Sequence, residues 1–198
     1  MDSAEVPRRS PAEWEPLLSY EPFHETQRVR AFDCGPCEGR KKLNDFLNTD
    51  EVEQYADLGL GQTTLVFCEG TLVAYFTSCT ADLSYDYVKH VKSFTRYPKV
   101  KVVSLPSIKI GRLAVQNEWR RKGIGETIIM HIGTKAIANQ GDGVRLLILE
   151  AYSDSAPMYE KVGFKLTNGD LRRERARGTT RTMFFDLNKV RGRDTDDR

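Results

Sequence analysis

Along the chain, short apolar runs alternate with stretches in which apolar residues return every three or four positions, and glycine-containing breaks separate them. That alternation predicts strands and helices mixed in one α/β layer structure. A first strand is expected within Glu25–Phe32, and a turn from Cys34 to Gly39, where two Gly and a Pro crowd six residues. A helix is expected over roughly Arg40–Asn48, with Leu43, Phe46 and Leu47 on one face. A second, over Glu51–Leu58, takes its cap from Thr49 or Asp50 and stops at the glycines of Leu58-Gly-Leu-Gly61. Thr63–Cys68 and Thr71–Ser78 read as strands joined by a hairpin turn at Glu69-Gly70. Ala81 to Pro98 carries no clean period, although Tyr85, Tyr87, Val88 and Val91 suit a short helix. Lys99–Val103 and Ser107–Val115 read as extended. A helix from about Gly125 to Gln140 follows, with Ile124, Ile128, Ile132 and Ala136 as its buried face. Val144–Ala151 is the apolar strand expected at a sheet centre. A short helix, Asp154–Val162, ends at Gly163, and Phe164–Leu166 and Arg181–Leu187 close the order as strands. The termini are charged, with little to bury. Residues 1–22 are therefore expected as a loose extension, 23–190 as a single domain and 191–198 as a charged tail.

Composition narrows the class. A chain of 198 residues with 39% hydrophobic positions suits one domain with a real core. Lys plus Arg (30) nearly cancels Asp plus Glu (28), so the net charge of +2 decides nothing about nucleic acid, and local clusters must. No run approaches the roughly 18 apolar residues that span a bilayer, and the start lacks a signal-peptide core; a cytoplasmic location and no membrane partner are expected. The four Cys are then expected as thiols. Cys34-Gly-Pro-Cys37 has redox or zinc spacing, but no second pair or nearby His completes a site, so no metal is expected.

The most informative stretch runs from Ile110 to Gly125: a strand, a turn, then Arg120-Arg-Lys-Gly123-Ile-Gly125 opening a helix. Amides at a helix N-terminus lack intrahelical partners, and the dipole adds partial positive charge there. Gly123 and Gly125 remove side chains that would block a phosphate, and Arg120, Arg121 and Lys122 add mobile positive charge. This is a cradle for a pyrophosphate, or else a tight turn with an exposed basic cluster. A P-loop is excluded because Lys122 precedes the glycines, and a Rossmann loop because Ile128 stands where a third Gly is needed.

Arg120-Arg-Lys-Gly123-Ile-Gly125 resembles the Arg/Gln-x-x-Gly-x-Gly/Ala signature of the GNAT superfamily of N-acetyltransferases. Ala156-Pro-Met-Tyr159-Glu-Lys-Val-Gly163-Phe164 is similar to its second hallmark, with Ala156 one position late. The resemblance covers roughly Thr63 to Leu187. It implies a central mixed twisted sheet of about seven strands, flanked by helices and splayed between strands four and five. It implies acetyl-CoA as co-substrate, lying on Leu113, Ala114 and Val115 with its pantetheine arm bonded to the backbone of Leu113 and Val115. Its pyrophosphate would rest on the loop Arg120, Arg121, Lys122, Gly123, Ile124, Gly125 and Glu126. The implied reaction is direct attack of a primary amine on the thioester in a ternary complex. A backbone N–H near Val115 would hold the oxyanion, and Tyr159 would be the general acid toward the leaving thiolate. Glu150 and Glu118 are candidate bases, each equally readable as a surface carboxylate, and His131 reads as structural.

Ala31-Phe-Asp-Cys-Gly35 followed by Leu43-Asn-Asp-Phe-Leu47, with Ile110-Gly-Arg-Leu-Ala-Val115, is similar to the aminoacyl-tRNA-acetylating toxins of bacterial toxin–antitoxin operons. That likeness implies the α-amine of aminoacyl-tRNA as acceptor and an antitoxin as partner if one is encoded beside the gene. Arg172, Arg173, Arg175, Arg177 and Arg181 are the candidate RNA contacts. Segments 81–98 and 168–178 and the wider gap before Leu43 depart from the toxin pattern. The acceptor stays open between that amine, other amines of proteins or small molecules, and a non-catalytic acyl-CoA-binding or partner-binding role. A homodimer is common in the superfamily.

Overall fold

The computed structural model describes residues 6–24, 29, 31–36, 38–91, 94, 102–138, 143–167 and 180–191. Its elements run α1 (Pro11–Trp14), β1 (Leu18–Pro22), α2 (Glu38–Asn48), α3 (Glu51–Asp57), β2 (Gln62–Cys68), β3 (Thr71–Ser84), β4 (Ser104–Val115), α4 (Ile124–Ala138), β5 (Leu146–Tyr152), α5 (Ala156–Val162), β6 (Lys165–Leu166) and β7 (Thr180–Asp186). The seven strands bond in the order β1-β2-β3-β4-β5-β7-β6, a mixed sheet as expected. β4 and β5 are parallel; β1–β2, β2–β3, β5–β7 and β6–β7 are antiparallel. The chain divides into two compact units, residues 1–79 with 111–132 and residues 80–110 with 133–198.

In the first unit residues 11–22 form elements of the fold, where a loose extension is expected for 1–22; residues 1–5 lie outside the described residues. Ser10 caps α1, its amide and hydroxyl both donating to the Glu13 carboxylate at 2.8 and 2.6 Å, half of a capping box. Trp14 is buried. β1 then pairs along the edge of β2, from Leu18 opposite Cys68 to Pro22 opposite Thr64. The first strand thus lies earlier than the pattern Glu25–Phe32 suggests; residues 25–28 and 30 lie outside the described residues. Phe32 is not in a strand because a side chain takes its backbone: its N–H donates to Asn48 Oδ1 (2.9 Å) and its C=O accepts from Asn48 Nδ2 (2.8 Å). Asn44 Oδ1 likewise accepts from the Cys34 amide (2.9 Å). Two asparagines one turn apart on α2 therefore do for residues 32–34 what a neighbouring strand would do.

Against that strap packs a core of Phe32, Phe46, Leu47, Val52, Leu65, Tyr75 and Ala114. Phe32 meets Tyr75 edge-on at 5.2 Å, and the buried Tyr75 hydroxyl donates to the Leu43 carbonyl at 2.7 Å. The β2–β3 hairpin turns as expected on Glu69 (φ 49) and Gly70 (φ 79), the two positive values of a type I′ turn.

In the second unit, β3 continues to Ser84 and a 3-10 turn follows at Tyr85–Tyr87; within the stretch where a short helix is expected Phe94 is helical, and residues 92, 93 and 95–101 lie outside the described residues. Leu146–Leu149 of β5 are all buried, between Ser107–Ile110 of β4 on one side and Met183–Asp186 of β7 on the other. The core gathers Leu83, Val88, Leu105, Leu146, Ile148 and Phe184. No helix among the described residues is long and apolar enough to cross a membrane.

Candidate functional site

The end of β4 and the start of α4 lie in the first unit. Ala114 is buried in the core while Leu113 and Val115 stay half-buried. β4 ends where Gln116 donates its amide to the Val73 carbonyl (2.8 Å) and accepts at Oε1 from the Asp33 amide (3.0 Å). The Gln116 N–H is therefore committed, and an oxyanion donor near Val115 must be another amide. A 3-10 turn, Asn117–Trp119, follows, with Glu118 exposed on it.

The loop beyond is built on two positive φ angles: Arg121 at 61° and Gly123 at 102°. A non-glycine residue in the left-handed region stores strain of order 1–3 kcal/mol, and such backbone turns make concave groups of amides that hold anions. Thr127 closes the first turn of α4 by donating both N–H and Oγ1–H to the Gly123 carbonyl, each at 3.0 Å. The amides of Ile124, Gly125 and Glu126 precede that bond and have no acceptor within the helix. Arg121 is exposed, Arg120 and Lys122 are half-buried, and Ile124 is buried beneath them with Ile128, Ile132 and Ala136. Seven consecutive residues singled out from the sequence, Arg120 to Glu126, thus form one loop and helix start.

Two residues that the sequence pattern does not flag hold this loop. The Lys122 carbonyl accepts from the Arg9 amide (3.0 Å) and from Trp14 Nε1 (2.7 Å). A Cβ on Gly123 would stand 2.3 Å from the Arg9 carbonyl oxygen and 3.3 Å from the indole. Gly123 is therefore required by the N-terminal segment, which fills the space that a Cβ would take, and by its left-handed φ. The signal available was Ser10-Pro-Ala-Glu13, a capping-box spacing just before a tryptophan. His131, further along α4, stacks its ring on Tyr20 at 3.5 Å and its Nδ1 meets Glu15 at 2.9 Å.

The second unit carries the other proton-transfer candidates, Tyr159 and Glu150. Tyr159 is buried on α5 and packs edge-on against Phe164 at 5.7 Å. Burial alone pushes its hydroxyl up to about 12, so it is fully protonated at neutral pH. Glu150 lies on the exposed side of β5 and its Oε1 accepts from Lys109 Nζ at 2.8 Å. It is a surface ion pair rather than a poised base. Of the arginines considered for RNA, 172, 173, 175 and 177 lie outside the described residues, and Arg181 is 8% exposed, within β7 opposite Ala151. Among the described residues no group of three or more His, Cys, Asp or Glu is arranged to hold a metal.

A family model described as an acetyltransferase (GNAT) domain matches residues 83–183. No curated protein matches the sequence. Solved structures do. The toxin AtaT complexed with acetyl-methionyl-tRNAfMet superposes with a TM-score of 0.69 at 20% identity, covering 88% of this chain and 97% of that one. A tyrosine-to-phenylalanine mutant of KacT gives 0.70 at 19% identity, over 89% and 98%. A tyrosine-to-phenylalanine mutant of AtaT bound to the C-terminus of the antitoxin AtaR and acetyl-CoA gives 0.63 at 20% identity, over 91% and 99%.

Proposed function

The chain belongs to the GNAT acetyltransferases, and from that we propose that it moves the acetyl group of acetyl-CoA to a primary amine by direct attack in a ternary complex. The observation that carries this is the loop Arg120–Glu126: left-handed at Arg121 and Gly123, it leads into the first turn of α4, whose amides have no acceptor within the helix, with Arg120, Arg121 and Lys122 beside them in sequence. It is suited to the pyrophosphate of a CoA thioester. Leu113 and Val115 would offer backbone groups to the pantetheine arm.

The chemistry asks little of the protein beyond alignment and charge. A neutral amine adds to the thioester carbonyl, the tetrahedral intermediate collapses, the C–S bond breaks, and the amine's surplus proton must reach the sulfur. We assign Tyr159 the donating role. At about 12 it lies roughly three units above an ordinary thiol, so giving its proton to the thiolate is the uphill half. Recovering one from the ammonium of the intermediate is the downhill half.

The α-amine of an aminoacyl-tRNA is the acceptor we favour, with action in the cytoplasm. An α-amine, at about 7.7–8.0, is substantially neutral at physiological pH, whereas a lysine at about 10.4 needs a strong base. Glu150 is held by Lys109, and Glu118 stands exposed, so an acceptor that deprotonates by itself fits best. The fold shared with AtaT, solved with acetyl-methionyl-tRNAfMet, supports the same choice. We propose an antitoxin as partner on the same ground, since AtaT was solved bound to the C-terminus of AtaR. The test is transfer of radiolabelled acetyl from acetyl-CoA to charged bulk tRNA, beside uncharged tRNA, peptides and polyamines. Label on charged tRNA alone supports the favoured acceptor. Label on peptides or polyamines keeps the acetyltransferase and replaces the acceptor. Binding of acetyl-CoA without any turnover would leave the non-catalytic role.

A further inference from the structure

The Lys122–Gly123 peptide is pinned by the N-terminal segment. Its carbonyl oxygen accepts two hydrogen bonds from the N-terminal segment, one from the Arg9 amide at 3.0 Å and one from Trp14 Nε1 at 2.7 Å. In a trans peptide the C=O and N–H point in opposite directions. Turning the Lys122 oxygen toward Arg9 and Trp14 therefore turns the Gly123 N–H away from them, immediately before the first amides of α4 in sequence. Flipping this one peptide would aim a carbonyl oxygen at an incoming phosphate in place of a donor. Glycine at position 123 makes that flip easy in conformational terms, so something must hold it.

The indole is built for the task. Trp14 is 1% exposed, its ring lies 6.1 Å from that of Trp119 in the turn that precedes the loop, and the Arg9 guanidinium stands 4.9 Å over it. Trp14 thus touches the loop at its entrance and bonds it at its tightest point. The capping of α1 by Ser10 and Glu13 fixes where the indole stands.

We propose that Trp14, with the Arg9 amide, is a positioning residue for acetyl-CoA: it locks the Lys122–Gly123 peptide with its N–H toward the pyrophosphate. This rests on the acetyl-CoA reading given above. It follows that the N-terminal segment belongs to the donor site although it touches no reacting atom.

The test compares two donors on the full chain. Acetyl-CoA carries the pyrophosphate; S-acetylpantetheine carries the same thioester without it. Trp14→Phe removes the N–H donor, and Trp14→benzothienylalanine removes it while keeping the bicyclic shape, so that folding is not at issue. Each variant should raise the Kd for acetyl-CoA about five- to tenfold, the effect of one well-placed hydrogen bond, with kcat at saturation unchanged. Turnover of S-acetylpantetheine should match wild type. A folded variant that binds acetyl-CoA like wild type overturns the proposal, as do equal losses on both donors, which would mean a general packing defect. If wild type itself binds no acetyl-CoA, the donor reading fails and this inference falls with it.

Discussion

The Arg112 guanidinium carbon stands 3.8 Å from the centroid of the Phe46 ring and 5.1 Å from that of Tyr55, while Nη2 donates to Glu51 Oε1 at 3.0 Å. One side chain on β4 thereby ties α2 and α3 to the strand that leads into the donor loop. Arg112→Ala should cost ~1–3 kcal/mol, most of it from the ring contacts and the lost packing of the stem. Glu51 is half-exposed, so the ion pair itself adds little. Arg112→Lys keeps the charge without the planar fork and should fall between the two. Urea unfolding reads this directly, and an alanine variant as stable as wild type would show the ring contacts to be idle.

A second tie is in the other unit. Arg145 Nε and Nη2 donate to Asp186 Oδ1 and Oδ2, both at 2.8 Å, and the Asp186 side chain is 3% exposed. Asp186 Oδ1 also accepts from the Asn188 amide at 3.0 Å, closing the turn after β7. Asp186→Ala strands the guanidinium and that amide together. With Arg145 still partly hydrated, the loss should be ~2–4 kcal/mol, toward the lower part of the range for a broken buried pair. The urea midpoint should drop by about 1–2 M for an ordinary slope. A drop under about 0.3 M would mean that water replaces the carboxylate at no cost.

The Cys34 thiol argues against redox chemistry at Cys34-Gly-Pro-Cys37. Burial pushes it up to about 11, against the weaker opposing pull of its own backbone and of Arg40, and Sγ donates to the Arg40 carbonyl at 3.7 Å. A redox thiol is shifted the other way. At pH 8 roughly one molecule in a thousand would carry the thiolate. Iodoacetamide on native protein should therefore leave Cys34 unmodified while the half-exposed Cys79 reacts, with both labelled after denaturation. Peptide-resolved mass spectrometry decides it: equal native rates would contradict the burial.

How far the sequence foretells this structure depends on whether a residue's partner is near in the chain. The buried face of α4, the Glu69-Gly70 turn and the loop Arg120–Glu126 are local patterns, and all three stand where the pattern puts them. β1 does not read as a strand because it is a short edge element ending in Pro22, while Phe32 mimics one and spends its backbone on Asn48. The extension of β3 to Ser84 is hidden by polar residues such as Thr80 and Asp82, which are exposed on the strand. Trp14 is joined to Lys122 across 108 residues of sequence, and no spacing rule reaches that far. Glu150 looked available because its partner, Lys109, lies on the neighbouring parallel strand.

The pH profile tests the assignment of Tyr159 most sharply. The acid must be protonated to act, and burial raises its hydroxyl from 10.0 to about 12. The active form is thus retained through the assay range and lost only as pH climbs through about 12. kcat/KM should rise with pH as the acceptor ammonium deprotonates, then stay level to at least pH 10; a tyrosine at its ordinary value would already be half ionised there. Tyr159→Phe should lower kcat by about 10²–10⁴ across the whole range, the usual worth of a general acid. It should leave the acidic limb in place, since that limb belongs to the acceptor, and acetyl-CoA affinity within about twofold. A basic limb near pH 9 in wild type that vanishes in the Phe variant would keep Tyr159 as the acid but show that the bound thioester lowers its pKa. A Phe variant with full kcat would remove Tyr159 from the chemistry and leave it as packing against Phe164.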